Sequence, residues 1–255
     1  MKTFFHELKR RNALLYYAGL GSATVAILLV LLMPFIDVKV LGIHALIKPI
    51  KFLLSTFIFC WTMGWLLHYL AQQKQVKIYS WVVLIVLLFE NIYISWQALL
   101  GQLSHFNIST PFHDAMFGLM GLAIGIMTIW TAYMGSLFFR PLREAVPAAY
   151  LWGIRLGILL FVLFAFEGYA MGAIQAPTVG AADGGEGLPF VNWSTRHGDL
   201  RIAHFLGMHA LQILPLLGYF VFRRVSWIIV VAILYFSLVT AILYQAWQGL
   251  PLVST

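Results

Sequence analysis

The chain has 255 residues, of which 62% are hydrophobic and only 10% are charged, and its formal net charge is +7. Soluble globular domains contain about 25% charged residues, so this composition excludes that class and indicates a membrane protein. The positive charge does not indicate a nucleic-acid partner, because lysine and arginine are concentrated at the N-terminus and in alternate loops, as membrane topology requires. The expected partner is the lipid bilayer.

Seven apolar stretches are long enough to cross a bilayer, which takes about 17–25 helical residues. They lie near 13–35, 51–71, 79–101, 115–139, 147–171, 201–222 and 226–247. A lipid-embedded backbone must satisfy its own hydrogen bonds, and the alternation typical of barrel strands is missing, so the stretches predict helices. Because the connections are short, we expect an all-α integral membrane protein with seven transmembrane helices in a single membrane domain, 1–255.

The distribution of basic residues predicts the orientation. They cluster at the N-terminus and after the second, fourth and sixth segments: Lys2, Lys9, Arg10, Arg11, Lys74, Lys77, Arg140, Arg143, Arg223 and Arg224. The positive-inside rule then places the N-terminus in the cytoplasm and the C-terminus in the external or periplasmic space. The first apolar run is longer than a signal-peptide core and no cleavage site follows it, so we expect no cleaved signal peptide. The expected location is a bacterial inner membrane.

Ionisable and amide side chains recur on the predicted outer side of several segments. On the sixth segment, Arg201, His204, His209 and Gln212 fall within an arc of about 140° of the helix. Further polar positions are Glu90 and Gln97 on the third segment, Lys51 on the second segment and Tyr244 on the seventh segment. Ionisable groups at membrane depth are rare and are usually functional. These stripes predict a polar cavity that opens away from the cytoplasm.

A metal site is the first hypothesis for this cavity. Two carboxylates and two imidazoles, from Glu90, Glu167, His204 and His209, are expected at similar depth and suit Zn²⁺ or iron. The proposed metal ligands are His204, His209, Glu167, His105 and His113. The competing hypothesis is that buried histidines and glutamates only join neighbouring helices by hydrogen bonds.

The same residues lead to a functional hypothesis. A metal-bound water would act on a lipid or another membrane-soluble small molecule. The expected catalytic residues are Glu90, His197, Asp199 and Arg201. The expected cofactor-binding or substrate-binding residues are Gln97, Gln212, Tyr244 and Lys51. Structural alternatives remain open for two of them, since Asp199 can cap a helix and Lys51 can extend to the membrane interface.

Two other classes of function also remain open. An electron-transfer protein would hold a haem through His204 or His209, or a quinone through histidine, tyrosine and glutamine side chains. A proton-coupled transporter would use Glu90, Glu167 and the histidines as a proton relay, although no inverted repeat is visible. The sequence does not specify an oligomeric state.

Seven segments with a histidine pair loosely resemble the membrane hydrolases related to alkaline ceramidases and adiponectin receptors. That family carries His-x-x-x-His on its last helix. In this chain His204 and His209 are five residues apart on the sixth segment, and the second segment has no Ser-x-x-x-His. Because of these departures we do not assign the chain to that family.

Overall fold

A computed structural model describes the backbone of residues 2–254 and the side chains of residues 3–254. Within that range the chain forms eight α-helices and two short antiparallel strand pairs. The helices are α1 (Lys2–Arg11), α2 (Ala13–Leu32), α3 (Ile47–Leu66), α4 (Gln73–Leu99), α5 (Pro111–Leu137), α6 (Ala148–Ile174), α7 (Leu200–Phe220) and α8 (Val225–Trp247). Strands β1 (Lys39–Val40) and β2 (Ile43–His44) form one pair, and β3 (Thr178–Val179) and β4 (Gly198–Asp199) form the other.

Helices α2 to α8 correspond one to one with the seven predicted segments. Each is long and apolar enough to cross a membrane, which suggests an integral membrane protein. Helices α3 and α4 begin earlier than expected because their first turns carry polar residues, among them Lys48 and Lys74, ahead of the apolar run. Such long cationic side chains can extend from a helix end toward the headgroup region. The short helix α1 and both strand pairs were not predicted.

The chain divides into two compact units. The first runs through Met127 and the second begins at Thr128, so helix α5 contributes to both. The first unit contains α1 to α4, and the second contains α6 to α8.

In the first unit, α2 packs closely on α3. A Cβ atom on Gly19 would lie 2.4 Å from Cδ1 of Trp61, so any larger residue would have to displace the Trp61 ring. Asn12 caps α2, because its side chain accepts a hydrogen bond from the backbone N–H of Leu15 at 3.1 Å. The Asn12 amide also donates to the Ser80 hydroxyl at 2.8 Å, which ties the start of α2 to α4.

In the second unit, small residues hold α6 and α7 together at close range. A Cβ on Gly153 would lie 2.5 Å from the carbonyl oxygen of Leu214, and one on Gly157 would lie 2.8 Å from that of Ala210. Lipid tails are as apolar as leucine, so membrane helices associate through such close packing rather than through hydrophobic burial. Helix α8 covers this pair with aliphatic side chains such as Val239.

This packing corrects the expected orientation of α7. Its fully buried face carries small and aliphatic residues: Ile202, Ala203, Gly207, Ala210, Leu211, Leu214 and Gly218. The predicted polar residues are half-buried instead: Arg201, His204, His209 and Gln212. Close contact between helix backbones requires small side chains, so the polar residues are displaced to the flank of the interface.

Tyr244, the polar residue expected to line the cavity from the seventh segment, faces outward together with two other polar residues of the α8 region. Tyr244 is 68% exposed, and Ser237 and Gln248 are exposed as well. The buried face of α8 instead carries apolar residues, including Ala232 and Ile242. The expectation that Tyr244 lines an interior cofactor site is therefore not met.

Gly153→Ala tests the α6–α7 contact. The added methyl group meets a backbone carbonyl that cannot rotate away, so we expect the free energy of unfolding to fall by about 1–3 kcal/mol. The control is Gly118→Ala in α5, where an added Cβ meets no atom within 4 Å. Detergent-to-SDS unfolding titrations measure both variants. Equal stability of the two variants would contradict the packing described here.

Candidate functional site

A buried acid and a histidine meet between α6 and α7 in the second unit. The side chain of Glu167 is 7% exposed, and its Oε2 lies 3.3 Å from Nδ1 of His204. The same Nδ1 lies 2.7 Å from the carbonyl oxygen of Phe164 and bonds to it. Among the described residues, neither carboxyl oxygen of Glu167 has a hydrogen-bond partner. Buried carboxyl oxygens without partners are rare, so this pair is the leading candidate site.

The backbone sets the tautomer of the His204 ring. A carbonyl oxygen only accepts hydrogen bonds, so Nδ1 of His204 carries a proton that it donates to Phe164. In the neutral ring, Nε2 therefore holds the lone pair and is the atom that gains or loses the titratable proton. Gly168 makes room for this ring, because a Cβ there would lie 3.1 Å from Cε1 of His204.

The first unit contains a second embedded acid, Glu90, which is 5% exposed on α4. The ammonium group of Lys48, in the first turn of α3, is close enough to interact electrostatically with the Glu90 carboxyl. Lys51 is half-buried one turn further along α3. Glu90 is therefore buried within the first unit, and its basic neighbour is Lys48.

Further along α4, Tyr93 and Gln97 face a histidine from α5. The Tyr93 hydroxyl and the Gln97 amide nitrogen each lie 3.2 Å from Nδ1 of His113. Gln97 is fully buried, and its Oε1 has no hydrogen-bond partner among the described residues. Gln97 and His113, assigned to different roles from the sequence, thus belong to one polar cluster.

His105 lies in the loop between α4 and α5, in a mostly aromatic environment. Its Nδ1 lies 3.1 Å from the Ser104 hydroxyl, and the rings of Phe52 and Phe117 are within 5.4 and 6.1 Å of its own. Burial, together with the positive charge of Lys48, lowers the pKa of His105 well below its usual range. The imidazole is therefore neutral at physiological pH.

Asp199 and Arg201, two of the expected catalytic residues, hold the loop before α7 in place. The Asp199 carboxylate is 1% exposed; it accepts hydrogen bonds from the backbone of Arg201 at 3.1 Å and of Ser194 at 2.8 Å. It also pairs with the Arg201 guanidinium at 2.6 Å, and Arg201 donates to the Asn192 carbonyl at 2.7 Å. Asp199 is the N-cap of α7, as the structural alternative expected. With these partners, both residues are better explained by structure than by catalysis.

The other predicted residues of the second unit are dispersed. His197 is half-buried in the loop before α7, and its backbone N–H donates to the Ser194 hydroxyl at 3.0 Å. His209 lies on α7 with its Nδ1 3.1 Å from Oε1 of Gln212 and its ring 4.4 Å from that of Phe205. The contacts of His209 join residues of α7, and the contact of His197 lies within its loop. None of these contacts brings the two histidines together.

The expected metal site is not assembled. Among the described residues, no group of three or more histidine, cysteine, aspartate or glutamate side chains is placed to hold a metal ion. Of the proposed ligands His204, His209, Glu167, His105 and His113, the structure pairs only His204 with Glu167. The five-residue spacing explains part of this result, since it turns His204 and His209 about 140° apart on α7.

Sequence reasoning missed one polar contact inside the first unit. The Asn91 amide, buried in the middle of α4, donates to the Thr56 hydroxyl of α3 at 2.9 Å. An asparagine beside Glu90 in an otherwise apolar stretch was the available signal, because amides at membrane depth commonly bond to a neighbouring helix.

Comparisons of the chain with protein-family models, curated proteins and solved structures find no match. The helices suggest a class, an integral membrane protein with helices that can span a bilayer. A proposal about function must therefore be argued from the two buried acids, Glu167 and Glu90, and from the basic residues next to them.

Asp199→Ala tests the structural role of the loop anchor. The change removes the cap of α7 and leaves the Arg201 guanidinium without its closest carboxylate, so we expect a loss of about 3 kcal/mol of unfolding free energy. Glu186→Ala is the control, because its pair with Arg196 is about two-thirds exposed and contributes at most about 1 kcal/mol. If Asp199→Ala were as stable as the control, the anchor assignment would be wrong.

His105 predicts an acid-dependent loss of stability. Because its folded pKa is depressed, the unfolded chain binds a proton below about pH 6.5 that the folded chain does not bind. Stability is therefore fully present above that pH and declines as the pH falls, by at most about 1.4 kcal/mol per pH unit. Unfolding titrations on both sides of this pH should show a smaller decline in His105→Gln than in the wild type, while the exposed-site control His6→Gln retains the decline. An identical decline in wild type and His105→Gln would refute this.

Proposed function

We propose that this chain is a proton-coupled membrane transporter in which Glu167 and Glu90 are the proton-binding groups, and that it also passes protons when its substrate is absent. The observation that supports this most is the Glu167 carboxyl, which is buried between two membrane-length helices with both oxygens lacking a hydrogen bond. Acidic groups embedded at membrane depth are typical of proton relays in pumps and transporters.

The chemistry of the pair follows from its geometry. An ionised carboxylate without hydrogen bonds is unfavourable in a low-dielectric interior, so Glu167 is stable either protonated or beside a cation. His204 becomes that cation when its Nε2 accepts a proton, while its Nδ1–H stays on the Phe164 carbonyl. The proton-loaded pair holds one proton more than ionised Glu167 beside neutral His204, and that proton lies either on a Glu167 oxygen or on Nε2 of His204. Its release leaves the carboxylate 3.3 Å from Nδ1 of the ring.

Glu90 is the buried acid of the first unit. It is buried on a membrane-length helix, and the base within electrostatic reach is Lys48. Each unit therefore has one embedded acid beside one nitrogen base. Structural joining of helices would favour hydrogen-bonded amides, such as Asn91 with Thr56, over ionisable groups.

We further propose that the N-terminus is cytoplasmic, the C-terminus is periplasmic and the membrane is a bacterial inner membrane, on the basis of the basic loops. Glu167 then lies seven residues from the outer end of α6, about 10 Å along its axis, and Glu90 lies nine residues from the outer end of α4, about 14 Å. Both acids face the outer half of the membrane, and the co-transported substrate is a small or membrane-soluble molecule.

The metal-dependent enzyme that the sequence favoured has weaker support. Catalytic zinc and non-haem iron sites use about three protein ligands, and no such group is formed by the described side chains. A haem or quinone site has no specific observation in its favour.

Proton flux tests the proposal directly. Purified protein is reconstituted in liposomes that contain a pH-sensitive dye, and a potassium–valinomycin potential drives protons inward. We expect the wild type to acidify the lumen faster than protein-free liposomes, and Glu167→Gln and Glu90→Gln to return the rate to that background. A neutral amide preserves the size of the side chain but cannot bind a proton.

The matched control is Glu186→Gln, which neutralises an acid with a 63% exposed side chain outside the membrane-length helices. It should acidify the lumen at the wild-type rate. A wild-type rate equal to background, or an undiminished rate in both embedded variants, would contradict the proposed function.

A further inference from the structure

The N-terminal helix α1 carries basic and aromatic side chains at the end of a membrane-length helix. Its exposed positions include Phe4, Phe5, Lys9 and Arg10, whereas Leu8 is fully buried. This mixture of an anchored apolar residue, exposed aromatics and cations is typical of helices that lie in the plane of a membrane interface.

Arginine fixes α1 to the end of α3. The Arg11 guanidinium lies 4.0 Å from the Trp65 ring centroid and 4.8 Å from that of Tyr69, and it donates to the Trp65 carbonyl at 3.3 Å. Arg11 also pairs with Glu7 at 2.8 Å. Helix α1 is therefore held against the end of α3, and the other cationic side chains of α1 have a defined position.

A second basic stretch lies next to α1. Asn12, directly after α1, donates to Ser80 of α4 at 2.8 Å. Lys9 lies one helical turn before Asn12, and Lys77 lies one turn before Ser80. Both lysines are exposed, as are Arg10 and Lys74. Two basic stretches far apart in sequence thus converge at one end of the first unit.

The local charge is strongly positive. Residues 3–12 and 70–80 contain five lysines and arginines and one acid, a net charge of +4. The acid is Glu7, and hydrogen bonds from Arg10 and Arg11 lower its pKa to about 2. Glu7 therefore offsets one positive charge at any physiological pH, and the remaining charge attracts an anion.

A shallow depression lies beside Glu7, the acid that pairs with Arg10 and Arg11. It has a volume of about 750 Å³ and is lined by Thr3, Phe4, His6, Glu7 and Trp65. The rings of Phe4 and Trp65 stack at its side, 5.3 Å apart. A ligand with an anionic head and an apolar chain matches both features, since the head can contact the cations while the chain lies over the aromatic rings.

We propose that α1 and the first turns of α4 bind the headgroup of an anionic phospholipid. The phosphate contacts Lys9 and Lys77, and an acyl chain lies in the depression beside Phe4 and Trp65. This site is independent of the proposed proton coupling, because it uses neither of the embedded acids.

Native mass spectrometry of the purified full chain, titrated with phosphatidylglycerol or phosphatidylcholine, tests the site. We expect phosphatidylglycerol to bind preferentially, and Lys9→Gln/Lys77→Gln to weaken its binding by about tenfold or more, since each basic residue near an anionic lipid contributes measurably. The matched control, Arg223→Gln/Arg224→Gln, removes two exposed charges in the loop between α7 and α8 and should change binding by about twofold at most.

A second variant keeps the test informative if the first variant fails to fold. Lys74→Gln/Lys77→Gln changes two exposed side chains on α4 alone, and it should also weaken phosphatidylglycerol binding. Equal binding of the two lipids would overturn the proposal. So would equal losses in the lysine and arginine pairs, which would indicate general attraction by net charge, or unchanged binding in both lysine pairs.

Discussion

The absence of hydrogen-bonding solvent inside a bilayer is the constraint on which the rest of this structure depends. Backbone groups meet it by forming helices, and side chains must meet it by finding partners within the chain. Asn91 donates a hydrogen bond to Thr56, and Asn12, at the start of α2, donates one to Ser80. Among the described residues, the amide oxygens of Gln72, Asn91 and Gln97 lack a hydrogen-bond partner, and Glu167 is the carboxyl whose two buried oxygens both lack one. The proposed function therefore begins at this carboxyl.

Close packing of α6 on α7 determines where the polar groups of the second unit can lie. Glycines at 153 and 157 bring the backbones into contact, so the interface has no room for a row of large polar side chains. His204 is accommodated at the flank, where Gly168 leaves space for its ring and the Phe164 carbonyl fixes one of its protons. The packing thus places one base beside one buried acid, the pair on which the proposed function rests.

The seven membrane-length helices were predictable because apolar length alone identifies them. The positions of side chains around each helix were less predictable. An arc containing Arg201, His204 and His209 on α7 suggested an interior face, but the interior face belongs to small residues that permit close packing. Likewise Tyr244 shares a polar stripe in sequence yet is exposed, because the buried face of α8 is aliphatic. Which face is buried depends on the neighbouring helix, and a single sequence does not contain that information. Asp199 was predicted to be catalytic, with capping left open as an alternative; the structure shows the cap, which is a local interaction and therefore visible in sequence.

Nitrogen-15 NMR of histidine-labelled protein in lipid bilayers tests the central claim, the coupling of His204 to Glu167, most directly. Comparison with His204→Gln identifies the His204 resonances. The structure predicts a ring protonated at Nδ1, as its bond to the Phe164 carbonyl requires, and a shift of the ring resonances in Glu167→Gln. A neutral ring protonated only at Nε2, or a His204 spectrum unchanged by Glu167→Gln, would contradict the account.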